Sequence, residues 1–80
     1  SMFKNPDPPH HSAAFYIEHS GLKGMEKNGV CISAHHANFM ENQSHAPAES
    51  AIDLIEYIRD TVHTNYDILL EPEVKILDAT

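Results

Sequence analysis

The chain has 80 residues, 12 of them acidic and 5 basic, for a formal charge of −7. This balance disfavours nucleic acid, whose phosphates need clustered Lys and Arg, and counts weakly against anionic membrane surfaces. The length allows one small domain, 1–80, that buries roughly 60% of its unfolded surface, and without a run of about 18 apolar residues no segment reads as membrane-spanning.

The N-terminus lacks the succession of basic, apolar and small-residue regions that marks a secretory signal. Cys31 is the single cysteine, so the chain forms no internal disulfide and no thiolate zinc cluster. A reducing, cytoplasmic setting fits best. Flanked by Val30 and Ile32, Cys31 reads as a buried small hydrophobe rather than a reactive thiol.

In chain order, residues 1–5 read as a short strand or extended arm. "NPDPPHH" then forces a loop, because its three prolines remove donors and push preceding residues out of the helical region. Ser12 caps a short helix, "AAFYIEHS", with Gly21 as a left-handed stop. "GLKGMEKNG" reads as a glycine-punctuated connection, followed by two short strands, "VCIS" and "ANFMEN", on either side of "AHH". Pro47 suits the first turn of a long helix with Glu49 near its positive end. Ala51, Leu54, Ile55, Ile58 and Val62 recur at helical spacing, opposite Asp53, Glu56, Arg59 and Asp60. Asn65 is placed to end that helix in the left-handed conformation. In the closing "DILLEPEVKILD", Leu70, Pro72, Val74 and Ile76 alternate with Glu71, Glu73 and Lys75. Pro72 cannot donate to a ladder, so it marks a sheet edge or a break. The order strand, helix, two strands, helix, strand predicts an α+β fold: a small antiparallel or mixed sheet with two helices packed on one face.

Seven histidines invite a metal reading, but their spacing does not support one. His10–His11 and His35–His36 are tandem pairs whose members point apart on a strand, and His19, His45 and His63 stand singly. "GLKG" lacks the glycine run of a phosphate loop or dinucleotide fingerprint, although Lys23 could serve as a point charge for phosphate or carboxylate. The pair Glu71 and Glu73 is the best local signal. Two carboxylates on one strand face cannot both ionise cheaply if the site is covered, and one of them would then deliver a proton near neutral pH. If the face is open to water, they are solvated charges.

"SMFKNP", "GLKG", "HHANFMEN" and "LLEPEVKIL", in this order and at these separations, resemble the C-terminal domain of the UDP-N-acetylenolpyruvoylglucosamine reductase family, also called UDP-N-acetylmuramate dehydrogenase. The resemblance covers essentially the whole chain. It implies a cytoplasmic, FAD-dependent and NADPH-using oxidoreductase of peptidoglycan synthesis, and so of cell shape and division. NADPH reduces FAD, hydride passes to C3 of the enolpyruvyl group, and the resulting enolate-like species is protonated at C2. By this resemblance Glu73 acts as acid on that species and Ser1 matches the proton-donating serine. Lys23, Asn5 and His36 match substrate contacts, while Glu71 orients or screens. Pro72 would aim Glu73 into a covered cleft while Leu70, Val74 and Ile76 anchor the run.

FAD is bound by upstream domains in this family, so no cofactor is expected on these 80 residues and the chain by itself should not catalyse the redox reaction. The expected partners are the UDP-sugar substrate and the FAD-binding domains, of the same or a separate chain. A contrasting reading is a stand-alone interaction or nucleotide-sugar-binding module without redox activity.

Overall fold

The computed structural model describes residues 1–73. Helix α1 (Ala13–His19) starts where Ser12 takes an extended backbone and its side-chain oxygen accepts from the Phe15 N–H at 3.2 Å. Asn5 reaches the same helix end, its Oδ1 accepting from the Ala13 N–H at 2.9 Å. At the other end Gly21 sits at φ +77°. Its N–H donates to the Glu18 carbonyl (3.0 Å) and the Leu22 N–H to the Ile17 carbonyl (3.3 Å), the paired bonds of a Schellman turn. Ile17 and Leu22 meet in the core.

Three antiparallel strands follow in spatial order β1 (Glu26–Lys27), β2 (Val30–Ile32) and β3 (Met40–Glu41). β1 lies in the segment expected to be a connection. Asn28 (φ +54°) and Gly29 (φ +90°) form a two-residue turn that pairs Lys27 with Val30. Positive φ at both central residues matches the right-handed twist of a hairpin, which is why Asn-Gly favours this turn. The strand expected over "ANFMEN" contracts to Met40–Glu41, because residues 33–39 curl around Ser33. The Ser33 hydroxyl accepts from the N–H groups of His35 (3.1 Å) and His36 (3.2 Å), and its N–H donates to the Phe39 carbonyl at 2.8 Å.

Helix α2 (Ala48–Tyr66) buries Ser50, Ala51, Leu54, Ile55, Ile58 and Val62 along one stripe. Pro47 is its N-cap, one residue earlier than expected, and Glu49 lies in the first turn. The helix runs past Asn65 to a left-handed Asp67 (φ +56°). Tertiary bonds hold that last turn: the Asn65 amide donates to Ser20 Oγ, the Tyr66 hydroxyl donates to the His19 carbonyl, and Tyr66 packs on Tyr16. α2 packs on β2 and α1 on α2. Val30 and Ile32 point into the core shared with Ile17, Leu54 and Ile58, while Cys31 faces outward, half-buried between Glu26 and Glu41. The result is a small α+β fold. Cys31 is thus not the buried hydrophobe expected, because strand alternation gives the inward positions to its neighbours.

Among the described residues, the strands expected at the two ends meet at a bridge, Phe3 opposite Pro72, and the expected C-terminal strand beyond Glu73 lies outside those residues. The bridge's flanking bonds run from the Lys4 N–H to the Glu71 carbonyl and from the Glu73 N–H to the Met2 carbonyl, both 2.9 Å. In such a pair the bridged residues point their own polar groups away from each other, so the missing N–H of Pro72 leaves no gap in the ladder. On its other side Phe3 meets Asn38 rather than a strand. Asn38 Oδ1 accepts from the Phe3 N–H at 3.0 Å, and Asn38 Nδ2 donates to the Phe3 carbonyl at 2.9 Å. The Met2 N–H adds a bond to the Asn38 carbonyl at 2.8 Å. Met2 and Phe3 are 1% exposed, so every polar group of this arm that is shut off from water needs such a partner. Leu70 anchors the opposite side of the seam in the core; Val74 and Ile76 lie outside the described residues.

Candidate functional site

The clasped arm and the bridge at Pro72 bring together residues far apart in sequence. A cleft of about 360 Å³ opens between the arm, the start of α1, the Ser33–Phe39 loop and Glu73. Ser1, Asn5, His36 and Glu73, four of the five candidate residues, line it. The Ser1 hydroxyl donates to Glu73 Oε2. Asn5 lines the cleft with its carbonyl oxygen committed to α1 and, among the described residues, no hydrogen-bond partner on its Nδ2 amide. His36 stands edge-on to Phe39, ring centroids 4.5 Å apart, and Phe39 is 43% exposed at the wall.

Lys23, the fifth, is not among the lining residues. It lies beyond the Schellman turn, where its ammonium is 3.6 Å from a Glu18 carboxylate oxygen. The two acidic residues around Pro72 also part company. Glu71 pairs with Lys4 at 3.1 Å across the bridge, whereas Glu73 pairs with Ser1. Glu73 is exposed. The covered cleft expected for it is open among the described residues, with Glu73 at the rim.

The geometry suits the handling of a proton. A hydroxyl and a carboxylate in direct contact can exchange donor and acceptor roles when the carboxylate takes up a proton. A flavin does not fit this set. Gly21, Gly24 and Gly29 sit in turns and none lines the cleft, so among the described residues no glycine backbone cradles a pyrophosphate there. Nor do the described residues bring three His, Cys, Asp or Glu side chains together as a metal site, and none of the described helices is long and apolar enough to cross a membrane.

A family model for the UDP-N-acetylenolpyruvoylglucosamine reductase C-terminal domain matches residues 1–77. The chain belongs to this family. Curated proteins named UDP-N-acetylenolpyruvoylglucosamine reductase align with it over 77 residues, 96% of its length. Identities are 46% for the protein of Trichormus variabilis, 43% for that of Acaryochloris marina and 40% for that of Bacillus velezensis. The alignments cover 23%, 24% and 25% of those proteins, so this reductase C-terminal domain spans about a quarter of the relatives it matches.

Within the reductase domain, one contributor to the site escaped sequence reasoning. Asn38 lies in "HANF", where His36 drew attention and Asn38 reads as an ordinary strand residue. Its bonds to Phe3 span 35 positions and have no local signature. A polar residue between apolar neighbours in a segment expected to pair was the available signal.

Proposed function

We infer that this chain is the substrate-binding C-terminal part of a UDP-N-acetylenolpyruvoylglucosamine reductase, and that it delivers the proton of the reaction. The observation that carries the reading is the direct bond between Ser1 and Glu73 in a cleft also lined by Asn5 and His36. The complete enzyme, cytoplasmic and acting in peptidoglycan synthesis, would use NADPH and FAD as its source of hydride. The flavin would be held by other parts of the protein, since the residues here do not fit it.

When hydride has been added at C3 of the enolpyruvyl group, negative charge resides on C2 and its carboxylate. The Ser1 O–H bond breaks as the new C2–H bond forms. Glu73, in its carboxylic acid form, returns a proton to the Ser1 oxygen and is left as the carboxylate that accepts from Ser1 in the present structure. Each turnover thus consumes one proton, which the pair regains from water. This is general acid catalysis by a relayed pair. Asn5 would offer its amide N–H groups, and His36 a ring N–H, to oxygen atoms of the UDP-sugar. The open face of the cleft would be covered by the flavin-binding part of the enzyme, whose approach excludes water from the pair.

The test is a separation of half-reactions in the complete reductase. Ser1→Ala is expected to slow formation of UDP-N-acetylmuramate by about 10²–10⁴-fold while NADPH reduces the flavin at the unaltered rate. Product formation at the parent rate would overturn the reading.

A further inference from the structure

We propose that Asn38 is a positioning residue for the Ser1 hydroxyl, its side chain taking the place of the missing strand beside the N-terminal arm. The inference rests on the proton-delivery reading and adds the element that sets its geometry. Ser1 and Glu73 are both exposed, at the rim of an open cleft. A proton donor at the rim of an open cleft must be held in one direction, because reaction geometry tolerates little misplacement. The arm is ordered two residues on, where Phe3 is gripped from both sides.

One side of the grip is the bridge to Pro72. The other is the Asn38 carboxamide, which matches the Phe3 N–H with an acceptor at 3.0 Å and the Phe3 carbonyl with a donor at 2.9 Å. Only a carboxamide offers both at the spacing of a peptide group; a carboxylate lacks the donor and an aliphatic chain lacks both. The main chain of Asn38 takes the Met2 N–H as well, so the two residues following Ser1 are fixed by one residue. Asn38 is itself 5% exposed, held beside the Ser33 turn that fixes the loop. Both polar ends of its side chain are spent on Phe3. Asn38 also lines the cleft, but with its side chain engaged on Phe3 its effect on the reaction is exerted through the placing of Ser1.

The experiment compares Asn38→Ala, Ser1→Ala and the double variant in the complete reductase. It measures single-turnover product formation, flavin reduction by NADPH, and deuterium uptake over residues 1–5. The expected result for Asn38→Ala is a loss of about 10²-fold in product formation, the scale of a misplacement of about 1 Å. Flavin reduction and substrate Kd stay unchanged, and residues 1–5 exchange faster. The double variant should be no slower than Ser1→Ala, because a residue that works through Ser1 has nothing left to position. Losses that multiply in the double variant, equal losses in both half-reactions, or a parent rate for Asn38→Ala would overturn the proposal. Ser1→Ala at the parent rate would instead remove the proton-delivery reading beneath it, and the proposal with it. Should Asn38→Ala prove insoluble, Asn38→Ser carries the same measurements. Its shorter, uncharged side chain cannot span both polar groups of Phe3, and its loss in product formation is again expected to vanish in the Ser1→Ala background.

Discussion

Two asparagines four positions apart make the same pair of bonds in unlike settings. Asn38 closes both of its side-chain bonds on the backbone of Phe3, 35 positions away and out of contact with water. Asn42 does the same to Ala46, four positions on, its Oδ1 accepting from the N–H at 2.8 Å and its Nδ2 donating to the carbonyl at 2.9 Å, but at the surface. The hydrogen bonds are alike in number and length, so their geometry does not rank them. What differs is the state of the backbone once the side chain is gone. Water can replace the Asn42 carboxamide at Ala46, whereas the buried N–H and carbonyl of Phe3 would have no substitute. One asparagine joins the arm that carries Ser1 to the rest of the fold; the other shapes the loop leading into α2.

The largest effect should accordingly come from Asn38. Replacement by Ala leaves two buried backbone groups unpaired, each at roughly 1–3 kcal/mol, for a loss of about 2–4 kcal/mol after relaxation. Urea unfolding of the chain measures it. A loss below about 1 kcal/mol would mean that the arm shifts to let water reach Phe3, and the contrast between the two asparagines would disappear.

Gly29→Ala comes next and probes the region around the second asparagine. Gly29 sits at φ +90°, and a Cβ there would lie 3.0 Å from the Ala46 Cβ, the residue Asn42 fastens. The left-handed conformation costs an L-residue roughly 1–2 kcal/mol before any contact is counted, so the expected loss is about 1–3 kcal/mol. A neutral substitution would show that the Asn42–Ala46 loop yields freely, which would sharpen the distinction from the arm.

Much of this architecture could be read from local patterns. α2 follows from its apolar stripe, and the bounds of α1 from Ser12 and Gly21, because caps and 3.6-residue periodicity are written within a few positions. The Asn28-Gly29 hairpin was equally local, but strands of two and three residues give alternation too little length to register. The ends of the chain pose the opposite problem. "SMFKN" and "ILLEPE" carry strand-like residues, and among the described residues they pair through the bridge of Phe3 with Pro72, while the arm's other partner is a side chain. No period in the sequence encodes a side chain standing in for a strand. The grouping of Ser1, Asn5, His36 and Glu73 was expected from the resemblance to the reductases, not from spacing, and the structure sets these four around one cleft. Lys23 lies apart because the Schellman turn at Gly21 directs it toward Glu18. The opening of the cleft, with Glu73 exposed, depends on what lies beyond these residues, and the chain is about a quarter of its relatives' length.

Asn42→Ala should cost about 0.5–1.5 kcal/mol, the net worth of exchanging ordinary hydrogen bonds with water. If it equals Asn38→Ala in urea unfolding, burial is not what separates the two.

The smallest effect is reserved for Lys4 and Glu71, which pair at 3.1 Å across the seam that Asn38 secures from its other side. Their side chains are 60% and 67% exposed, a setting in which an ion pair contributes roughly 0–1 kcal/mol and is screened by salt. Lys4→Ala is therefore expected to cost less than about 1 kcal/mol at low ionic strength, and the difference should fade in molar sodium chloride. Asn38→Ala should keep its full cost at any salt concentration, since screening does not reach a buried backbone group left without a partner. The two variants bear on the same arm from opposite sides, so their ratio is informative. If Lys4→Ala proved the more damaging, and salt unfastened the arm, charge rather than the buried carboxamide would hold Ser1 against Glu73.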